Sequence, residues 1–258
     1  MDGPTLVTGA TGTLGRPLVD RLLAEGTAVR VMSRRPRRAD DDRPYAWAVC
    51  DLASGEGLRA AVEGAATIVH CATNARNDVA TTRRLVDAAR RAGGPHLVYI
   101  SIVGVDRVPF FYYEAKLAAE RLVEESGLPW TILRATQFHD LVATMTLAQR
   151  RLPVALVPAG LRFQPVEVTE VAGRLAELAR DAPAGRVPDM GGPEVRDARD
   201  LAASALRAAG RRRRIVPVRL PGKAYRAYRA GGHLAPGRTV GTVTFEEYLE
   251  RRAKAGRL

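Results

Sequence analysis

"PTLVTGATGTLGRPLVDRLLAEG" (residues 4–26) decides the fold class. The apolar "PTLVT" reads as a short buried strand, and "LGRPLVDRLLAEG" carries apolar residues at helical spacing. Between them Gly9, Gly12 and Gly15 stand in the pattern G-x-x-G-x-x-G. A strand that turns at once into a helix needs glycine for the tight turn, for close approach of backbone to a pyrophosphate, and for packing helix on sheet. Backbone amides at the helix start then face phosphate oxygens. Glycine triplets occur in many turns, so the setting between first strand and first helix is what makes this a dinucleotide loop. Thr11, Thr13 and Leu14 complete it.

Working outward, apolar runs at 28–32, 45–50, 66–72, 95–101 and 129–134 read as strands. Helical patterns near 54–63, 77–92 and 111–126 alternate with them. This rhythm implies βαβ units and an α/β fold, a doubly wound (Rossmann) parallel sheet. Beyond residue 150 the rhythm loosens. "LPVALVP", "FQPVEVT" and "RIVPVRL" read as shorter strands, and 169–181, 197–209, 221–230 and 244–255 as helices. The expected organisation is a dinucleotide-binding domain over 1–150. A small C-terminal substrate-binding lobe over 151–258, interleaved with the main sheet, would close over the strand ends.

The 258 residues carry a formal charge of +12, and only three of the 40 basic Lys and Arg residues are lysine. Arginine is spread over helices and loops. The densest blocks, "RRPRR" (34–38) and "RRRR" (211–214), lack interleaved aromatics, so they read as solvated surface rather than a specific nucleic-acid groove. No run of 18 apolar residues suggests a membrane span, and no leader pattern opens the chain. Cys50 and Cys71 lack metal or redox spacing, and His70, His96, His139 and His233 form no ligand cluster. No metal is expected. The reading is a cytoplasmic monomer or homodimer whose partner is a small molecule.

After the second strand the chain reads "VMSRRPRR". NAD-binding loops place an acidic residue about 20 positions beyond the glycines to hold the ribose 2′-hydroxyl. Ser33, Arg34 and Arg35 stand there instead. A guanidinium can fork onto a 2′-phosphate, so NADP(H) is the expected cofactor, with Arg16 beside the loop. Cys71, Ala72 and Thr73, at the end of a later strand, are counted in the expected cofactor site.

In "YYEAK", Lys116 follows Tyr112 by four residues, which puts both on one helix face. The helix follows the strand "HLVYIS", whose end carries Ser101. Ligands gather at such strand ends in parallel sheets. Tyr113, three residues from Lys116, is the alternative tyrosine. Phe110, Phe111, Tyr113, Gln137 and Phe138 are candidates to wall an apolar substrate pocket.

"TGATGTLGR", "CDL", Ser101 and "YYEAK" resemble the short-chain dehydrogenase/reductase superfamily. With "GLPWTILRATQFHD", "FQPVEVTEVA" and "MGGPEV", the chain is similar to the superfamily's atypical NmrA-like, NAD(P)H-binding branch. The resemblance implies that Tyr112 donates or accepts the proton. It further implies that Lys116 lowers the tyrosine pKa and binds the nicotinamide ribose, that Ser101 holds a substrate carbonyl, and that Asp51-Leu52 contacts adenine. Gln137 and His139-Asp140 follow a strand where family members approach nicotinamide and substrate, with a supporting or surface role for His139. The implied activity is NADPH-dependent reduction of a carbonyl, quinone or activated double bond. Some members of the branch instead sense the dinucleotide without turnover and regulate a protein partner.

Overall fold

The computed structural model describes residues 3–74 and 76–256. The opening stretch forms β1 (Thr5–Thr8), a glycine turn and α1 (Gly15–Ala24). The chain continues through β2 (Val29–Ser33), β3 (Ala46–Val49), α2 (Leu58–Val62), β4 (Thr67–His70), α3 (Asp78–Arg91), β5 (His96–Ile102), α4 (Phe111–Glu124) and β6 (Trp130–Ala135). With β9 (Gly185–Arg186) these strands make a seven-stranded parallel sheet in the order β3-β2-β1-β4-β5-β6-β9. The doubly wound α/β fold is therefore present. β1 and β4 are buried at every residue, as expected of central parallel strands covered by helices on both faces.

One face of the sheet packs Leu6, Ile68, Leu97 and Ile132 against Leu58, Leu85 and Val123 of α2, α3 and α4. α1 packs with α6 (Val168–Arg180). The winding direction reverses between β1 and β4, where the register pairs Thr8 with His70. The carboxyl ends of these two strands form the crevice in which such sheets take their ligands.

The chain divides into two compact units. The first comprises the described residues of Met1–Ser101 with Phe111–Arg134 and Val168–Val187; the second is Ile102–Phe110, Ala135–Glu167 and Pro188–Leu258, again as far as described. The sequence suggests a division near residue 150 with the second part interleaved with the main sheet; in the structure 135–150 belongs with the second unit, and 168–187 returns to the first. The return has a physical cause, since α6 packs on α1 and β4, and β9 pairs with β6.

The second unit holds α5 (His139–Leu147), β7 (Val154–Pro158), β8 (Arg162–Phe163), β10 (Arg196–Asp197), α7 (Ala198–Ala208), β11 (Arg214–Val218), α8 (Lys223–Arg229) and α9 (Phe245–Lys254). β7 pairs parallel with β11 and β8 antiparallel with β10. Its core gathers Phe163, Leu201, Tyr225, Phe245 and Leu249. Thr244 and Glu247 form a reciprocal capping box that starts α9.

Two sequence expectations change here. "FQPVEVT" is not a continuous strand. β8 ends at Phe163, and the buried Gln164 amide bonds Gly192 O (3.0 Å), Ala235 O (3.1 Å) and Ala235 N (2.8 Å). Pro165 then has no N–H to give a ladder. α5, unmarked in the sequence reading, starts at His139, which is buried, bonds Val243 O (3.0 Å) and stacks on Tyr248 at 5.2 Å. His139 is thus a core residue of its unit.

Candidate functional site

The glycine loop meets each steric demand of its motif. Gly9 has φ +65°, and a Cβ there would lie 2.7 Å from the Ala72 amide nitrogen. A Cβ on Gly15 would come within 2.2 Å of Gly9 O. The Gly12 amide donates to Gly9 O at 2.9 Å and closes the turn. Thr11, Gly12 and Thr13 are exposed, while Leu14 and Gly15 are buried beneath them. α1 begins without a side-chain cap and without an acidic residue in its first turn. Its leading amides and the positive end of its dipole therefore suit a phosphate. These residues fit a dinucleotide.

Thr8 Oγ1 bonds both the His70 ring (2.7 Å) and the Ala72 amide (3.1 Å), which ties the ends of β1 and β4 together. Burial, with Lys116 nearby, pushes His70 down to about 3, so the ring is neutral. Burial likewise pushes the Cys71 thiol up to about 12, which disfavours the thiolate.

The arginine block after β2 sorts into two kinds. Arg37 donates to Tyr45 O (3.2 Å) and lies over the Tyr45 ring, and Arg38 pairs with Asp40 through two bonds of 2.7–2.8 Å. Arg34 and Arg35 are exposed, and their guanidinium groups have no hydrogen bond or ion pair among the described residues. Ser33 Oγ accepts the Arg35 amide at 3.2 Å and shapes the bend. Arg16 is turned to the loop itself, donating to Thr11 O at 2.8 Å. Asp51 holds its own turn through the Ala53 amide (2.8 Å), and Leu52 packs on the core.

A buried polar network lies at the end of β5. The Lys116 ammonium, 3% exposed, donates to Tyr99 Oη (3.1 Å) and Ile100 O (3.3 Å) and lies 3.7 Å from Asp78 Oδ2. Burial lowers the pKa of this ammonium, and Asp78 offsets part of the effect. Asp78 opens α3, accepts the Asn74 amide at Oδ1 and accepts the Thr73 hydroxyl at Oδ2 (2.8 Å). Thr73 Oγ1 is also 3.0 Å from the Tyr112 hydroxyl. Burial raises the Tyr112 pKa, and the Asp78 charge raises it further against the opposing effect of Thr73.

Tyr112 and Lys116 therefore belong to one network, yet no hydrogen bond joins them directly. Tyr112 is half-buried and Tyr113 buried, their rings 6.5 Å apart. Ser101 is 2% exposed, and its Oγ has no hydrogen-bond partner among the described residues. Asp78 and Tyr99 were absent from the sequence candidates. An aspartate ahead of a helical run is ordinary cap chemistry, so the sequence carried no signal that this one is a buried counter-ion.

Of the pocket candidates, Phe111 is 61% exposed at the start of α4. In the second unit, Phe110 packs edge-on to Tyr228 at 6.3 Å, Phe138 is half-buried, and the Gln137 amide donates to His233 O at 3.3 Å. The 211–214 block is partly structural: Arg211 donates to Leu147 O (3.1 Å) and Arg213 to Gln149 O (2.6 Å) at the end of α5. Among the described residues, no cluster of three or more His, Cys, Asp or Glu could hold a metal, and no helix is long and apolar enough to cross a membrane.

Comparison with known proteins agrees with this geometry. A reductase of Streptomyces griseus, (4-alkanoyl-5-oxo-2,5-dihydrofuran-3-yl)methyl phosphate reductase, is 32% identical over 214 residues, covering 80% of this chain and 74% of that one. The chain spans less than half the length of several further curated relatives that it matches. An NADPH-dependent quinone oxidoreductase of Escherichia coli, complexed with NADPH, superposes with TM-score 0.80 at 19% identity over 96% of this chain and 99% of that one. A Citrobacter triphenylmethane reductase complexed with NADP(H) gives 0.79 at 19% over 97% and 99%. At these identities the structural likeness speaks to fold alone. The sequence match is broader in meaning: residues 9–154 fit the NAD(P)H-binding family model, and with the glycine loop and the reductase relative this chain belongs to the NAD(P)H-binding family.

Proposed function

We propose that the protein is an NADPH-dependent oxidoreductase that reduces a carbonyl, quinone or activated double bond of a small apolar substrate. Bound NADPH supplies the hydride. The loop at Gly9, Gly12 and Gly15 holds the pyrophosphate, and the two unpaired arginines, Arg34 and Arg35, engage the 2′-phosphate. Cys71, Ala72 and Thr73 line the strand end beside the loop.

One observation carries the reading: the buried Oγ of Ser101 at the carboxyl end of β5, without a hydrogen-bond partner among the described residues. Leaving such a hydroxyl unsatisfied costs about 1–3 kcal/mol. A substrate oxygen would satisfy it and be oriented by it. The Lys116 ammonium, bonded to the adjacent Ile100 carbonyl, supplies positive charge at the same strand end. Tyr112 presents its hydroxyl to the polar network, which supports Tyr112 as the proton donor. The 32%-identical reductase relative supports reduction as the reaction class.

The test is NADPH consumption over a panel of quinones, ketones and activated alkenes. Turnover with at least one acceptor is expected, with Tyr112→Phe lowering it by about 10²–10⁴ and Tyr113→Phe keeping most of it. Tight dinucleotide binding without turnover on any acceptor would overturn the reading in favour of a redox sensor.

A further inference from the structure

We propose that the end of α5 and the paired strands β7 and β11 form a basic, leucine-bearing face that docks on an anionic phospholipid surface. The protein would lie on the bilayer there, not cross it. The face belongs wholly to the second unit and does not depend on the reaction proposed above.

Charge is divided unevenly between the two units. The second contains 20 of the 40 Lys and Arg residues but only 10 of the 28 Asp and Glu, so it carries +10 of the formal +12. No Asp or Glu occurs in 141–166 or in 201–245, stretches that include nearly all of α5, β7, most of α7 and β11.

Apolar exposure gathers in the same place. Among the described residues eight large hydrophobic side chains are exposed, and four of them, Leu141, Met145, Leu152 and Leu156, fall within 141–156 at 41–53% exposure. Leu141 and Met145 share one face of α5 at i, i+4. Gln149 ties the others to them. Its side-chain amide donates to Met145 O (2.8 Å) and Leu156 O (2.9 Å) and accepts the Leu156 amide (2.8 Å). Its backbone carbonyl accepts the Leu152 amide (3.2 Å). On β7, Leu156 pairs with Val216 of β11 and stands on the opposite face from the buried Ala155 and Val157.

Arginines frame this cluster. Arg150 and Arg151 follow directly on Gln149, and Arg212 and Arg214 stand just before and at the start of β11. All four are exposed, and their guanidinium groups have no hydrogen bond or ion pair among the described residues. Arg211 and Arg213, bonded to Leu147 O and Gln149 O, hold the block against the end of α5. Beside them a hollow of about 470 Å³ is lined by Arg207, the arginines 211–214 and apolar side chains. It has room for a phosphodiester head group.

An anionic bilayer satisfies both halves of the face. Its phosphates take the guanidinium groups and its acyl boundary takes the leucines. A second copy of the chain would bring two arginine rims together. Nucleic acid would leave the leucines in water, and neither 141–156 nor 211–216 offers a Phe, Tyr or Trp for base stacking.

The test is sedimentation of the full chain with vesicles of phosphatidylcholine alone and of equal parts phosphatidylcholine and phosphatidylglycerol. Binding to the mixed vesicles should be stronger by about tenfold or more and should weaken as salt is raised. Arg150→Ala with Arg151→Ala should weaken it by about tenfold or more, since each basic residue near such a surface is worth roughly fivefold. Leu152→Ser with Leu156→Ser should weaken it as well, with thermal unfolding confirming that both variants keep the fold. In Leu152→Trp, emission relative to wild type should shift to the blue on mixed vesicles, and lipids brominated in the acyl chain should quench it. Equal binding to both vesicle types, no binding to either, or binding unchanged by the arginine substitutions overturns the proposal. A loss confined to the arginine variant overturns docking through the leucines, and tighter binding to duplex DNA than to vesicles at equal salt then assigns the face to nucleic acid. Self-association abolished by the leucine substitutions, without vesicle binding, assigns it to a second copy instead.

Discussion

The Lys116 ammonium and the Asp78 carboxylate face one another at 3.7 Å, with side chains 4% and 2% exposed. Each charge is costly to bury alone, and each is the other's compensation. Tyr99 adds a hydroxyl acceptor at 3.1 Å and a ring face at 4.7 Å, so the ammonium sits in a socket shaped for a compact cation.

Removing one half of this pair should therefore be worse than removing both. Asp78→Asn leaves a buried ammonium unpaired and should lower stability by about 3–5 kcal/mol, whereas adding Lys116→Met should recover much of the loss. Lys116→Arg keeps the charge but overfills the socket at a cost of about 1–3 kcal/mol. Urea denaturation of wild type and the three variants checks the order. Equal losses for Asp78→Asn and the double variant would show that the pair is not energetically coupled.

Cofactor choice should follow the two unpaired arginines. NADPH is expected to bind more tightly than NADH, and Arg34→Ala with Arg35→Ala should weaken NADPH while leaving NADH nearly unchanged. Fluorescence titration of both cofactors measures this. Arg37 and Arg38, tied to their own loop, serve as the internal control: Arg38→Ala should leave the preference intact. Equal affinity for both cofactors in the wild type would refute the assignment.

His70 predicts a pH dependence. Its folded pKa is depressed from 6.5 to about 3, so below pH 6.5 the unfolded chain binds a proton that the folded protein refuses. The sign is destabilising on acidification: stability is intact above pH 6.5 and falls as pH drops toward 3. The slope from this residue is about 1.4 kcal/mol per pH unit between pH 6 and 4. Comparing unfolding of wild type and His70→Gln over that range isolates it. Identical slopes would mean that the ring is not held neutral.

Much of the architecture was legible because it is local. A short strand-forming run around Leu6 and Val7, three glycines at fixed spacing and a helical pattern specify a strand–turn–helix, and repetition of that rhythm specifies a parallel sheet. The sharing of a helix face by Tyr112 and Lys116 is equally local, a matter of 3.6 residues per turn. α5 escaped notice because Thr and Met interrupt its pattern, and its first residue is a histidine buried by aromatic partners more than 100 positions away.

Tertiary structure alone decided where the side chains went. Tyr112 and Lys116 share a face, yet one turns to Thr73 and the other to Tyr99 and Asp78, 39, 17 and 38 positions away in sequence. Nothing in "RRPRR" distinguishes Arg34 and Arg35 from Arg37 and Arg38 until the loop folds and supplies carbonyls and an aspartate to two of them but not the others. Backbone geometry follows from neighbours in sequence. The charge state and partner of a polar side chain follow from desolvation and from what else is brought within about 4 Å, and those are set only when distant segments pack.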